Sequence, residues 1–168
     1  KRSVSSDGTV TYLGQTVVYD DYGIAPLSWG EYNFTWQYGN RLTAISGPDY
    51  EITYDFDNDG NRIGKIVNGT PTNYYYEDGK VIYESREWDG EIIYYIYDYD
   101  NDLVGFIYDG QTYYYIYDGL KNVVGIAEPN GAVVVEYSYS AYGQTVGIYG
   151  SKADTVGVVN PYRYKGYR

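Results

Sequence analysis

Ile52-Thr-Tyr-Asp-Phe-Asp-Asn-Asp-Gly-Asn-Arg-Ile63 decides the fold. It opens on β-branched and aromatic residues, which suit a pleated, half-buried surface. It then passes through Asp, Asn and Gly, which suit a tight turn, and returns to Ile. The pattern is strand, turn, strand. Tyr95-Ile-Tyr-Asp-Tyr-Asp-Asn-Asp102 resembles it closely, with Tyr54-Asp55 aligned on Tyr97-Asp98. Tyr115-Ile-Tyr-Asp-Gly-Leu-Lys-Asn-Val123 is a looser copy, and Trp36-Gln-Tyr-Gly-Asn-Arg-Leu42 a fourth. Repeats of about twenty residues bury surface mainly on their neighbours.

Turn signals extend this outward. Asp-Gly stands at Asp7-Gly8, Asp59-Gly60, Asp78-Gly79, Asp89-Gly90, Asp109-Gly110 and Asp118-Gly119, and Asn-Gly at Asn68-Gly69 and Asn130-Gly131. All are read as type I′ hairpin turns, with positive φ at both central residues. From Asp59 they recur about every ten residues, the beat of consecutive hairpins. Asp100-Asn101-Asp102 fills the one gap with turn chemistry of its own. The runs between are strand-like: Tyr74 to Tyr76, Ile92 to Tyr97, Tyr113 to Tyr117 and Ala132 to Tyr139. No helical apolar period competes. The expected fold is all-β, a long antiparallel meander of tandem hairpins.

Tyr113, Tyr115 and Tyr117 share one strand face, while Tyr114 and Ile116 share the other. Tyr95, Tyr97 and Tyr99 likewise oppose Tyr94 and Ile96. Neither face is simply apolar or polar, and a tyrosine can cover a neighbour while its hydroxyl reaches water. The reading is a thin wall wetted on both sides and held by cross-strand tyrosines.

The composition agrees. Among 168 residues Tyr occurs 27 times and Gly 21, against three each of Phe and Trp. Net charge is −11 with no basic cluster, which sets aside nucleic-acid binding and disfavours anionic membranes. Cys and His are both absent. That excludes disulfides, thiolate sites, imidazole bases and ordinary zinc sites. No apolar run approaches the roughly 18 residues of a membrane span. Met is absent even at position 1, so a piece of a longer chain is expected.

Together these stretches resemble the RHS, or YD-repeat, family. Its repeat is recognised by Tyr-Asp followed by Gly-Asn-Arg, here Tyr54-Asp55 with Gly60-Asn61-Arg62. Leu27-Ser-Trp-Gly-Glu-Tyr-Asn-Phe-Thr-Trp-Gln-Tyr-Gly-Asn-Arg-Leu42 resembles a segment before the last repeats. Val104 to Gly110, Asn122 to Ile126, Asn130-Gly131, Tyr137 to Gly143 and Asn160 to Tyr167 resemble the approach to the family's core. Residues 1–168 then form a single YD-repeat ribbon, with divergent repeats in 1–103 and the approach to the core in 104–168. Tyr19-Asp20 departs from the pattern, leading to Gly23-Ile24 where the family prefers Gly-Asn. After Arg168 a family member continues into a segment carrying a plug and, in many members, an aspartyl self-cleavage site.

The resemblance implies a β-ribbon spiralling into a hollow shell, the wall around a C-terminal, toxin-like cargo. It implies a secreted or surface-displayed bacterial protein, partnered by neighbouring repeats and that cargo. The alternatives are an adhesion module whose Tyr-rich faces recognise glycans or a surface protein, and oligomers or filaments formed through open strand edges. No catalytic, cofactor or metal-binding residue is assigned, and the segment is read as non-enzymatic.

Two carboxylate patterns have the residue types of a binding or catalytic set. Asp55, Asp57 and Asp59 before Gly60 match the opening of a calcium loop, but Ile66 stands where its bidentate Glu belongs. A repeat turn explains them as well. Glu77-Asp78 and the Glu87/Asp89 pair have the side chains for glycoside hydrolysis, yet they sit at turns, where Asp serves backbone geometry.

Overall fold

The structure is a computed structural model and describes residues 2–86 and 90–166. Its strands are β1 (Arg2–Val4), β2 (Val10–Tyr12), β3 (Gln15–Tyr19), β4 (Pro26–Trp29), β5 (Tyr32–Gln37), β6 (Arg41–Ser46), β7 (Glu51–Phe56) and β8 (Arg62–Val67). Then follow β9 (Thr70–Glu77), β10 (Lys80–Arg86), β11 (Glu91–Tyr97), β12 (Leu103–Tyr108), β13 (Gln111–Tyr117), β14 (Val123–Ala127), β15 (Val133–Tyr139) and β16 (Thr145–Tyr149). They form one antiparallel sheet in chain order, without a crossover. The expected all-β meander is the observed fold. Contacts divide it into two compact units, residues 1–80 with 84–90, and residues 81–83 with 91–168.

The tight turns obey their chemistry only in part. Asn68-Gly69, Asp78-Gly79 and Asp109-Gly110 have positive φ at both residues, as type I′ requires. Leu13-Gly14 does the same without a polar residue to ease it. At residues 7–8, 59–60 and 130–131 only the glycine is positive, and at Asp118-Gly119 neither is. These four belong to wider loops closed by an i→i+3 bond, such as Gly60 N–H to Asp57 C=O and Lys121 N–H to Asp118 C=O. Asp89, and with it the Asp89-Gly90 turn, lies outside the described residues.

In the first unit the faces differ more than expected. Tyr32, Phe34 and Trp36 in β5 are half-buried, while Asn33, Thr35 and Gln37 are exposed. Ile52, Tyr54 and Phe56 alternate in the same way with Glu51, Thr53 and Asp55 in β7. This is the one-sided alternation of an antiparallel sheet with a single apolar face. That face stays half-open, for Ala25 and Tyr74 are its only fully buried apolar residues among those described.

In the second unit the thin-wall reading fails outright. Ile93, Phe106, Ile126 and Val135 are fully buried, joined by Tyr95, Tyr113, Tyr115 and Tyr137. The cover comes from residues 150–166. They turn back through a π-helical turn (Ala153–Gly157), pass Asn160 and end in a 3₁₀ turn (Tyr164–Gly166). Lys152 N–H bonds Val134 C=O, and Val123 N–H bonds Arg163 C=O. Gly157 is required where it stands, because a Cβ there meets Ile148 at 2.7 Å and Val135 at 3.1 Å. Each large side chain buried this way stabilises the unit by about 1.5–3 kcal/mol.

Candidate functional site

The Tyr-Asp dipeptide is a two-part corner. Its aspartate caps its own loop. Asp118 Oδ1 accepts from Leu120 N–H (2.8 Å) and Asn122 N–H (2.9 Å), and its Oδ2 from the Asn122 side-chain amide (2.6 Å). Asp98 accepts from Asp102 N–H, Asp20 from Ile24 N–H and Asp57 from Asn61 N–H. These bonds hold Asp118 and Asp57 below the usual carboxylate range, the Asn side chain of each loop being the main cause. Ser140 takes the same place before Gln144, more weakly.

The tyrosine ties that loop to the hairpin before it. Tyr117 Oη donates to Leu103 C=O (2.8 Å), Tyr139 to Val123 C=O (2.5 Å) and Tyr97 to Val81 C=O (3.0 Å). The Leu103 and Val123 carbonyls lie just past the end of the ladder with the next strand: β12 and β13 pair only from Gly105↔Tyr114 onward, and β14 and β15 from Gly125↔Glu136. The hydroxyl satisfies an acceptor the backbone no longer reaches. Partial burial raises Tyr117 and Tyr139 to about 12.

This geometry moves one repeat. The capping residue of the 57–61 loop is Asp57, preceded by Phe56. The ladder bulges between Asp55 and Phe56 as it does between Ile96 and Tyr97. The counterpart of Tyr97-Asp98 is therefore Phe56-Asp57, and Asp55 lies in β7 opposite Gly64. The Gly-Asn-Arg arginines stack on rings: Arg62 lies between Tyr54 (5.4 Å) and Tyr74 (5.3 Å), and Arg41 lies over Phe56 (4.9 Å) and Tyr38 (5.7 Å).

A buried polar cluster pins residues 150–166, and the sequence offered no sign of it. Asn160 is 1% exposed. Its Oδ1 accepts from Tyr115 Oη (2.8 Å), and its amide donates to Tyr137 Oη (3.2 Å) and Tyr162 C=O (2.7 Å). Tyr137 Oη donates to Gly157 C=O, and the Arg163 guanidinium lies over the Tyr137 ring. Burial pushes the Tyr115 hydroxyl well above its ordinary range. Lys152 bonds both Glu128 and Tyr113 at 2.8 Å. These bonds hold the cover in place.

The carboxylate patterns are not drawn together. Asp57 is committed to Asn61, Asp55 is in a strand, and Asp78 sits in a tight turn. No group of three or more acidic side chains placed to hold a metal ion occurs among the described residues. Glu87 and Asp89 lie outside them. No described helix is long and apolar enough to cross a membrane.

Each unit has an open surface. In the first unit Tyr12, Trp29 and Tyr32 form a row with 6.1 Å between successive ring centres, beside a cleft of about 460 Å³ that also touches Gln15 and Glu31. In the second unit the loops 98–102, 118–122 and 140–144 all lie on one rim, since they join alternate strand pairs of a meander. Their tips are Tyr99, 100% exposed, Leu120, 74% exposed, and Tyr142, 96% exposed.

Fold and surfaces define a class: a tandem-hairpin β-ribbon whose polar clusters hold structure together. Comparison with known proteins places it more closely. The chain is 32% identical over 161 residues to the tRNA3(Ser)-specific nuclease WapA of Bacillus spizizenii, a match covering 92% of this chain and 7% of that protein. It is 34% identical over 161 residues to the tRNA(Glu)-specific nuclease WapA of Bacillus subtilis subsp. natto, with the same coverage. The chain thus spans about 7% of the length of these curated relatives. The fold is that of part of the Photorhabdus luminescens Tc holotoxin pore, at TM-score 0.62 and 12% identity, covering 98% of this chain and 10% of the other. A TcdB2-TccC3-TEV structure matches at TM-score 0.59 and 14% identity, covering 81% and 8%. No protein-family model matches the chain.

Proposed function

We propose that this chain is a wall segment of an RHS-type shell, part of a secreted or surface-displayed bacterial protein that encloses a C-terminal, toxin-like cargo. The observation that carries the proposal is the half-open apolar face of the first unit. Phe34, Trp36, Ile52 and Phe56 share that face half-buried, with the Arg41 guanidinium over Phe56, while Asn33, Thr35, Glu51 and Asp55 point the other way. A half-open apolar face in a ribbon that locks mainly to its neighbours suits a chamber lining. The nuclease activity named for the WapA relatives belongs, in this reading, to the cargo and not to this stretch.

The test is a pair of cysteine variants in the full parent protein. Phe34→Cys faces the chamber and resists a bulky maleimide until the protein is denatured, whereas Thr35→Cys on the outer face labels at once. Equal labelling of both in the native protein sinks the proposal.

The row of Tyr12, Trp29 and Tyr32 supports a second reading, a module that stacks sugars on its rings. A glycan array probed with the chain and with Trp29→Ala separates the two. Signal lost in the variant favours adhesion, and a blank array removes it.

A further inference from the structure

Tyr99, Leu120 and Tyr142 stand where turn chemistry asks for Asp, Asn, Ser or Gly. They are 74–100% exposed. Alternate loops of a meander lie two strand spacings apart, so the tips follow one another at roughly 10 Å. The first unit repeats the device by itself, with Tyr22 at 86% and Tyr38 at 81% exposure in the loops after β3 and β5. Fully exposed apolar tips in regular succession mark an interaction edge rather than a packing need.

The charges beside the tips say what fits there. The loops 98–102 and 118–122 carry Asp98, Asp100, Asp102 and Asp118 against Lys121 and the adjoining Lys165, so the rim stays acidic. An edge of this sign repels its own copy and repels phosphate-bearing partners. The chain already shows how such a tip takes a cation. The Arg41 guanidinium lies 5.7 Å from the ring centre of exposed Tyr38, and Lys121 pairs with Asp102 at 3.1 Å.

We infer that the Tyr-Asp rim of the second unit is a docking edge for a basic, arginine-bearing polypeptide, whose guanidinium groups stack on Tyr99 and Tyr142 and pair with the loop aspartates. The inference does not depend on the chain being a shell wall.

The test uses the whole chain and a labelled arginine–glycine repeat peptide as probe, read by fluorescence anisotropy. The double variant Tyr99→Ser/Tyr142→Ser keeps every charge and removes only rings that touch nothing, so circular dichroism is expected to match the parent. Its affinity falls about tenfold, the size expected for losing two cation–π contacts. The face variant Tyr94→Ser/Tyr114→Ser binds as the parent does. Four outcomes overturn the inference. The peptide does not bind, the rim variant binds unchanged, the face variant loses as much, or the parent dimerises through the rim in sedimentation and the rim variant does not.

Discussion

At the scale of single residues, the tyrosines perform three separate tasks. Tyr97 and Tyr117, each before a capping aspartate, close the ladder to the preceding hairpin, those facing inward form the core, and those at loop tips stand out into solvent. Asn160 shows how much depends on the inward set. Asn160→Ala leaves the Tyr115 and Tyr137 hydroxyls short of a buried partner, and the cost is about 2–3 kcal/mol, measured as a lower urea midpoint. Alkali tests Tyr115, Tyr117, Tyr137 and Tyr139 together. Their folded-state pKa values are raised, to about 12 for Tyr117 and Tyr139, from an ordinary value of 10. The folded chain therefore holds these protons more tightly than the unfolded one. The stability they contribute is complete below pH 10 and is lost as pH climbs from 10 toward 12. Unfolding midpoints across that range check the sign; a flat profile contradicts it. The aspartates were legible in the sequence as turn formers, since a cap acts within four residues. The tyrosine bond was not, because Tyr117 and Leu103 are 14 residues apart.

At the scale of elements, the hairpins follow from local chemistry and two positions test it. Leu13 has φ 51° in a type I′ turn where Asn is at ease. Its side chain is 62% exposed, so little packing is lost on replacement. Leu13→Asn is expected to stabilise the chain by about 0.5–1 kcal/mol, read as a raised melting temperature. Gly105 sits where a Cβ would stand 2.3 Å from Tyr113 C=O, backbone that cannot swing aside. Gly105→Ala is expected to cost about 1–3 kcal/mol. At Gly125 the tightest such contact is a looser 2.9 Å, so Gly125→Ala costs less in the same urea titration. Strand and turn positions were readable because their period is short and their turn residues are specific. The alignment of Tyr54-Asp55 on Tyr97-Asp98 slipped by two residues. It matched letters, and only the bulge and the cap reveal which aspartate begins the loop. The cover at residues 150–166 was not legible, because a five-residue π turn leaves no apolar period to find.

At the scale of the whole molecule, the two units treat their apolar faces differently. In the second unit residues 150–166 do the covering. Ending the chain after Tyr149 uncovers Tyr95, Tyr115, Val135 and Tyr137, so the shortened chain is expected to bind a hydrophobic dye and to aggregate where the full chain does not. Light scattering of the two at equal concentration decides it. The tyrosine that reaches back to the preceding hairpin has one more consequence, for how such a chain changes length over evolutionary time. Each corner refers only to the hairpin before it, so a whole hairpin can be duplicated or deleted and both new junctions still find their partners. A single inserted strand cannot be absorbed. It sends every later Tyr-Asp corner to the opposite rim and leaves carbonyls such as that of Leu103 without their hydroxyls. Growth and loss in this architecture are therefore expected in steps of two strands.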